Sequence, residues 1–157
     1  MEPVKVLVLC HGNICRSPLV YYNMKELDKG KGHMVLRQGG FGRPKCRMPN
    51  KMREQLSFLP GIEDHRSRAV DINDFRWADR IIIMGPGNDK RLRALANKYK
   101  YLGETVSKTD FLGQWCKPKR HAVKDPNFMR KGSHELEIII TELLYGSRMY
   151  YEDKTRA

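Results

Sequence analysis

At 157 residues, 40% hydrophobic and 31% charged, the chain has the size and balance of one folded domain spanning residues 1–157. No apolar run approaches the ~20 residues that cross a bilayer, and the opening MEPVKVLVLC is too short before its polar residues to read as a secretory signal. No membrane-spanning helix is expected, the cytoplasm is the expected location, and Cys10, Cys15, Cys46 and Cys116 are expected as free thiols.

The net charge of +12 invites an anionic partner. Arg37, Arg43, Lys45, Arg47, Lys51 and Arg53 follow one another without an intervening carboxylate, so the 37–53 segment is a candidate face for an acidic partner. Lys117 to Arg120, KPKR, is a second cluster. Neither is interleaved with the aromatic residues of a base-stacking platform, and no zinc-finger spacing occurs, so nucleic acid is not the expected ligand.

In chain order, VKVLVLC (4–10) is short, β-branched and continuously apolar, as a strand buried on both faces would be. Ser17-Pro18 looks like a helix start, with Ser17 as N-cap and Pro18 at the first helical position. That helix is expected to run to about Lys29. HMVLRQ (33–38) suits a second strand before a turn at GGFG. PNKMREQLSFL (49–59) and INDFRWA (72–78) look helical, and Pro60-Gly61 stops the first. ADRIIIMG gives a third strand ended by Gly85-Pro86-Gly87, with a helix from about Asn88 to Lys98. GPGNDK mimics a phosphate loop but lacks the Gly-Lys-Ser/Thr that would complete one, and is better taken as a turn into the helix. KYKYL (98–102) is the candidate fourth strand. Residues 103–131 look like a long loop with one helical turn. SHELEIIITELLYGSRMYY (133–151) repeats Leu136, Ile139, Ile140, Leu143 and Leu144 at helical spacing. Strands alternating with helices imply an α/β fold with a parallel sheet, whose ligands sit at the carboxyl ends of the strands.

The first such end carries LCHGNICRSP. A loop leaving a strand and opening a helix turns several backbone N–H groups into one hollow, and the helix start adds positive potential. Together they suit a phosphate-like dianion. Gly12 permits close approach and Asn13 tolerates a left-handed backbone. Arg16 can grip two oxygens with its planar fork. Those groups also favour the thiolate of Cys10, which becomes a nucleophile aimed at a bound phosphate ester, with a phosphocysteine as product.

LCHGNICRSP resembles the phosphate loop of the low-molecular-weight protein tyrosine phosphatases. DHRSRAV (64–70), DFRWADRIIIM and VKDPNF resemble further blocks of that family, in the same order and spacing. The resemblance covers nearly the whole chain. It implies a three-layer α/β fold with a central four-stranded parallel sheet flanked by helices, and the phosphate loop after strand 1. It also implies hydrolysis of phosphotyrosine or another aryl phosphate, in proteins or smaller esters, without cofactor or metal. Cys10 matches the nucleophile, Arg16 the phosphate-gripping arginine and Asp125 the general acid. His11, Gly12, Asn13, Ile14, Cys15, Arg16 and Ser17 form the phosphate-binding loop, with Asn13 and Ser17 shaping it. His65 matches a histidine that hydrogen-bonds the loop asparagine. Cys15 matches a second thiol that can trap an oxidised nucleophile as a disulfide. Phe128, Asn127 and Phe41 are the candidates for the substrate cleft. Should Asp125 not be the proton donor, Asp110 is next in the 103–131 loop.

The sequence departs from the family in places. Two tyrosines often follow the aspartate and proline, and here Asn127 and Phe128 stand there. The serine that braces the loop asparagine falls near Gln38 or Gly39. An acidic residue after the methionine of the third strand is replaced by Gly85. Ile14 stands where members acting on phosphoarginine tend to carry threonine, which favours phosphotyrosine. Two other readings stay open. An arsenate-reductase-type thiol redox enzyme would need a cysteine pair after the third strand, and residues 80–98 contain none, although Cys46 or Cys116 could substitute. A non-enzymatic anion-binding module, for nucleic acid among others, would use the 37–53 face.

Overall fold

A run such as Val6-Leu7-Val8-Leu9 needs cover on both faces, and the fold supplies it. All four side chains are fully buried in the computed structural model, which describes residues 2–156. They belong to β1 (Val4–Cys10), one of the two inner strands of a four-stranded parallel sheet of order β2-β1-β3-β4. β2 (Met34–Gly40) pairs with β1 along its whole length, from Val4 opposite Met34 to Cys10 opposite Gly40. β3 (Arg80–Ile83) lies on the other side and β4 (Thr109–Phe111) beyond it.

Alternate residues of each strand face opposite layers. Val6, Val8 and Ile82 join the core under α1 (Arg16–Leu27), α2 (Asn50–Gln55) and α6 (His134–Thr155), with Leu19, Met52 and Leu136. Leu7, Leu9, Ile81 and Ile83 join a second core with Phe75 of α3 (Ile72–Trp77) and Leu92 of α4 (Pro86–Lys98). α5 (Leu102–Ser107) follows α4 on that side and contributes Leu102. Each fully buried Leu or Val contributes about 1.5–3 kcal/mol, which holds β1 at the centre. The chain leaves β1 for β2 on one side and returns to β3 on the other. The sheet's switch point therefore lies between the ends of β1 and β3, where α/β sheets bind ligands.

Several sequence expectations need correction. Cys15, not Ser17, occupies the N-cap of α1, and no side chain caps that helix. The Ser17 hydroxyl is instead used inside the loop before it. Gly39 and Gly40 complete β2 rather than turning. α2 is shorter than its sequence pattern, and residues 56–64 form successive turns. KYKYL is not a strand. It ends α4, turns at Lys100 (φ 57°), and leads into α5. Its alternation imitates a strand because Tyr101 packs inward while Tyr99 is exposed. The fourth strand is the three-residue β4, inside the segment expected as loop. That segment also holds α5 and 3₁₀ turns at Leu112–Trp115 and Pro126–Phe128.

β4 is too short to announce itself, but Asp110 anchors it. Arg80 donates from Nε at 3.0 Å and pairs through Nη2, and the Tyr150 hydroxyl donates at 2.7 Å. Asp110 therefore ties β3, β4 and α6 together, and is withdrawn as a reserve proton donor. Tyr150 is fully buried. Burial first, and then the Asp110 charge, push its hydroxyl well above the ordinary range. Tyr150→Phe keeps the ring and removes one donor from a mostly buried carboxylate. It should lower the unfolding free energy by about 1–2 kcal/mol, read from the urea midpoint at unchanged slope. An unshifted midpoint would show that Arg80 alone satisfies Asp110.

Candidate active site

Strand β1 stops at Cys10, and the five residues that follow turn back over its end before α1 begins. Asn13 takes a left-handed conformation, φ 53°, that asparagine accepts at small cost. The turn aims donors at the Cys10 sulfur. The Asn13 N–H lies 3.2 Å from Sγ, the Ser17 N–H 3.4 Å and the Ser17 hydroxyl 3.0 Å. Ser17 Oγ already accepts from Asn13 Nδ2 at 2.8 Å, so its own proton is free to point at sulfur. Cys10 is buried, and these three donors can support a thiolate there.

The loop is braced from three sides. Asn13 Nδ2 also donates to Gln38 Oε1 on β2 at 3.0 Å, so Gln38 supplies the brace in place of the family's serine. Asn13 Oδ1 accepts from the Arg68 N–H at 2.9 Å, and its carbonyl meets His65 Nε2 at 2.7 Å. The contact of His65 is with the main chain of Asn13 rather than with its side chain. Tyr22 of α1 lies behind His65, its hydroxyl 3.3 Å from Nδ1. Gly40 is needed at the end of β2, because a Cβ there would stand 2.8 Å from the His11 carbonyl and 2.9 Å from Asn13 Cβ. The Phe41 N–H closes the contact by donating to the same carbonyl at 2.8 Å.

Arg16 faces a second loop. Its Nη1 donates to the Val123 carbonyl at 2.9 Å, and Nη2 lies 3.6 Å from Asp125 Oδ2. Its Nε is buried and has no partner among the described residues. The second loop is tied to the end of β3 by the Val123 N–H, which donates to the Met84 carbonyl at 2.8 Å. Asp125 caps the turn it opens, Oδ1 accepting from the Asn127 N–H at 3.0 Å. Lys51 of α2 reaches across and donates to the carbonyls of Asn127, at 2.7 Å, and of Met129. Two residues more than 100 positions apart in sequence, Arg16 and Asp125, thus share one mouth.

Other expected site residues are placed differently. Phe128 is 86% exposed and Asn127 is exposed, both beyond Asp125. Phe41 is half-buried on the second core and lines one cleft with Val70 and Leu95, while its N–H holds the His11 carbonyl. Cys15 is buried, and burial, followed by the Asp125 charge, pushes its thiol well above the ordinary range, so it is protonated near neutral pH. Cys116 is buried against α6 and Cys46 lies beside Ser67. All four thiols are free. Among the described residues, no cluster of three His, Cys, Asp or Glu is placed to hold a metal ion. Four of the six cations of the 37–53 segment have partners inside the protein. Arg37 pairs with Asp74, Arg47 and Arg53 pair with Glu63, and Lys51 holds the Asp125 loop.

Gln38, Tyr22 and Lys51 complete the site and were not singled out as site residues in the sequence. Gln38 carried a signal, because it falls near the position of the bracing serine. Lys51 carried none, being one cation among six in its segment.

The fold and this loop define the class: an α/β protein that presents a thiol and an arginine in a strand-to-helix turn at the switch point of a parallel sheet. The model of the low molecular weight phosphotyrosine protein phosphatase family matches residues 5–153, and the chain belongs to that family of phosphoric monoester hydrolases. A low molecular weight phosphotyrosine protein phosphatase of Gallus gallus is 27% identical over 132 residues, covering 81% of this chain and 82% of the relative. Among solved structures, the YwlE arginine phosphatase from Geobacillus stearothermophilus superposes with a TM-score of 0.76 at 20% identity, covering 96% of this chain and 92% of its own. The tyrosine phosphatase Wzb from Escherichia coli K30, in complex with sulphate, gives a TM-score of 0.76 at 21% identity, covering 95% and 96%. These two likenesses speak to the fold.

Two outcomes are expected from the braces. Lys51→Met removes both bonds to the Asp125 loop. Amide exchange at residues 127–130 should speed up about tenfold, the factor that ~1.4 kcal/mol gives, with β1 to β3 unchanged. Equal exchange would show that the loop stands without the lysine. His65 gives a pH signature. Burial, with a smaller contribution from Arg66, holds its imidazole below the ordinary 6.5 against the opposing Asn13 bond. Above about pH 6.5 the folded and unfolded chains are both neutral at this site and nothing is lost. As pH falls below that value the unfolded chain takes up the proton first, and stability declines until the folded pKa is reached. His65→Gln should remove this component of the slope of unfolding free energy between pH 8 and pH 5. Parallel profiles for the two proteins would mean that His65 titrates normally.

Proposed function

We propose that the protein hydrolyses phosphotyrosine and related aryl phosphate monoesters through a phosphocysteine intermediate. The observation that carries this reading is the meeting of three donors on Cys10 Sγ with the Arg16–Asp125 pair at the same mouth. The Nε and Nη2 groups form one edge of the Arg16 guanidinium, and this edge can hold two phosphate oxygens while Nη1 stays on Val123. Asp125 lies along that edge, next to the oxygens it would protonate or deprotonate.

In the first step the Cys10 thiolate attacks phosphorus. The S–P bond forms, the P–O bond to the leaving oxygen breaks, and Asp125 gives that oxygen its proton. In the second step water attacks phosphorus and the Asp125 carboxylate takes its proton. The S–P bond breaks, inorganic phosphate leaves, and the Ser17 hydroxyl and the two N–H groups receive the sulfur as thiolate. Ile14 supports an aryl ester over phosphoarginine, because its alkyl side chain offers no acceptor to a guanidinium N–H. Cys15 is assigned to packing rather than to rapid trapping of oxidised Cys10, since its burial disfavours the thiolate that such trapping needs. Among the described residues no helix is long and apolar enough to cross a membrane.

Purified protein should hydrolyse p-nitrophenyl phosphate and a phosphotyrosyl peptide but not phosphoarginine. Cys10→Ser should abolish turnover while still binding phosphate, and turnover near that of the parent would remove Cys10 from the mechanism. Asp125→Asn keeps the size and removes the proton. For a phenol-like leaving group the phosphorylation rate should fall by ~100-fold or more. For nitrophenolate, which departs unaided, the loss should be smaller. One common factor across leaving groups of graded acidity would show that Asp125 is not the acid.

A further inference from the structure

The phosphate loop opens on one side against the start of α4. His11, Arg16, Gly85, Asn88, Arg91 and Ala122 border a cleft there of about 280 Å³. On its far side Arg91 also borders a second cleft of about 290 Å³, whose walls include Phe41, Val70, Ala94 and Leu95. One exposed guanidinium therefore stands between the phosphate loop and an apolar patch. No carboxylate lines either cleft among the described residues. Asp89, the carboxylate two positions away on the same helix, is engaged by Arg93 at 3.0 Å, and Arg91 has no ion pair among the described residues. The positive charge of Arg91 is thus left without a carboxylate partner, while Arg16 is paired with Asp125 inside the loop mouth.

The geometry points to a substrate that is an extended phosphotyrosyl peptide carrying an acidic side chain beside the phosphorylated residue, selected by Arg91. This rests on the phosphatase reading above. A small ester would fill only the cleft at Arg16. A ligand that spans both clefts has to pass Arg91, and an extended peptide has the length to do so. A carboxylate can meet the Arg91 fork with two hydrogen bonds, while a lysine at the same place is repelled by Arg91. The apolar walls beyond Arg91 give the chain a surface to lie on. Because Arg91 is exposed, the selection is moderate and sensitive to salt.

The test uses a set of phosphotyrosyl peptides in which glutamate, glutamine or lysine is placed in turn at each position within three residues of the phosphotyrosine, on both sides. Specificity constants are measured for the parent protein, Arg91→Ala and Arg91→Glu. At one or two positions the parent should prefer glutamate to glutamine by about three- to five-fold, the range of an exposed ion pair, and glutamate to lysine by more. The preference should shrink at high salt. In Arg91→Ala the glutamate-to-glutamine ratio should fall to about one at those positions, and in Arg91→Glu the order should invert in favour of lysine. A flat scan in the parent, or the same ratios in all three proteins, overturns the assignment. Failure of the parent to hydrolyse even p-nitrophenyl phosphate would instead sink the phosphatase reading. Titration calorimetry with the same peptides then decides the subsite by the same glutamate-to-glutamine comparison of affinities.

Discussion

The site depends on one buried side chain. Asn13 is fully enclosed, and a buried amide with a missing partner costs about 1–3 kcal/mol. Here its amide nitrogen serves Ser17 and Gln38, its amide oxygen serves Arg68, and its carbonyl serves His65. These bonds fix the left-handed turn, and the turn is what aims the Asn13 N–H at the Cys10 sulfur. The thiol environment is therefore set by contacts to β2 and to residues 65–68 as much as by the loop itself. A change at Gln38 or His65 acts on sulfur without touching it.

The sheet order explains why these parts meet. β1 sits between β2 and β3, so the turn after β1 is flanked by the ends of both. β2 brings Gln38 and the small Gly40 against the loop. Just past β3 comes Met84, whose carbonyl holds Val123 and hence the Asp125 loop. One strand end thus braces the thiol and the other delivers the carboxylate. The separation of Cys10 and Asp125 in sequence is closed by three parallel connections, from β1 to β2, β3 and β4 in turn, and little has to be organised by the 103–131 segment alone.

What the sequence revealed follows from how local the causes were. β1, β3 and α6 were legible because a buried strand and an amphipathic helix write their burial into consecutive residues. Cys10, Asn13, Arg16 and Ser17 were legible because one turn carries them all. Ser17 was misplaced as an N-cap because Ser-Pro before a helix has that meaning where no thiol competes for the hydroxyl. β4 was missed because three residues hold no period, and Asp110 keeps it in place through Arg80 and Tyr150, 30 and 40 positions away. Lys51 was missed for the same reason: its partners are main-chain carbonyls of Asn127 and Met129, which leave no trace in side-chain pattern.

Arg16 joins these two kinds of information. Its position in the loop is local, but the direction of its fork is not. With Nη1 held on the Val123 carbonyl, rotation of the guanidinium is restrained, Nη2 lies beside Asp125, and the buried Nε is left without a partner among the described residues. A lysine at this place could satisfy the Val123 carbonyl or an anion, but a single ammonium cannot present a fixed second edge while doing the first. The carbonyl of Val123 belongs to the chain that carries Asp125, two residues on. The same bond that orients the arginine therefore sets the distance between the phosphate-gripping edge and the carboxylate. On the proposed mechanism, gripping and proton transfer are coupled through the backbone of residues 123–125, so that a displacement of that segment would disturb both at once.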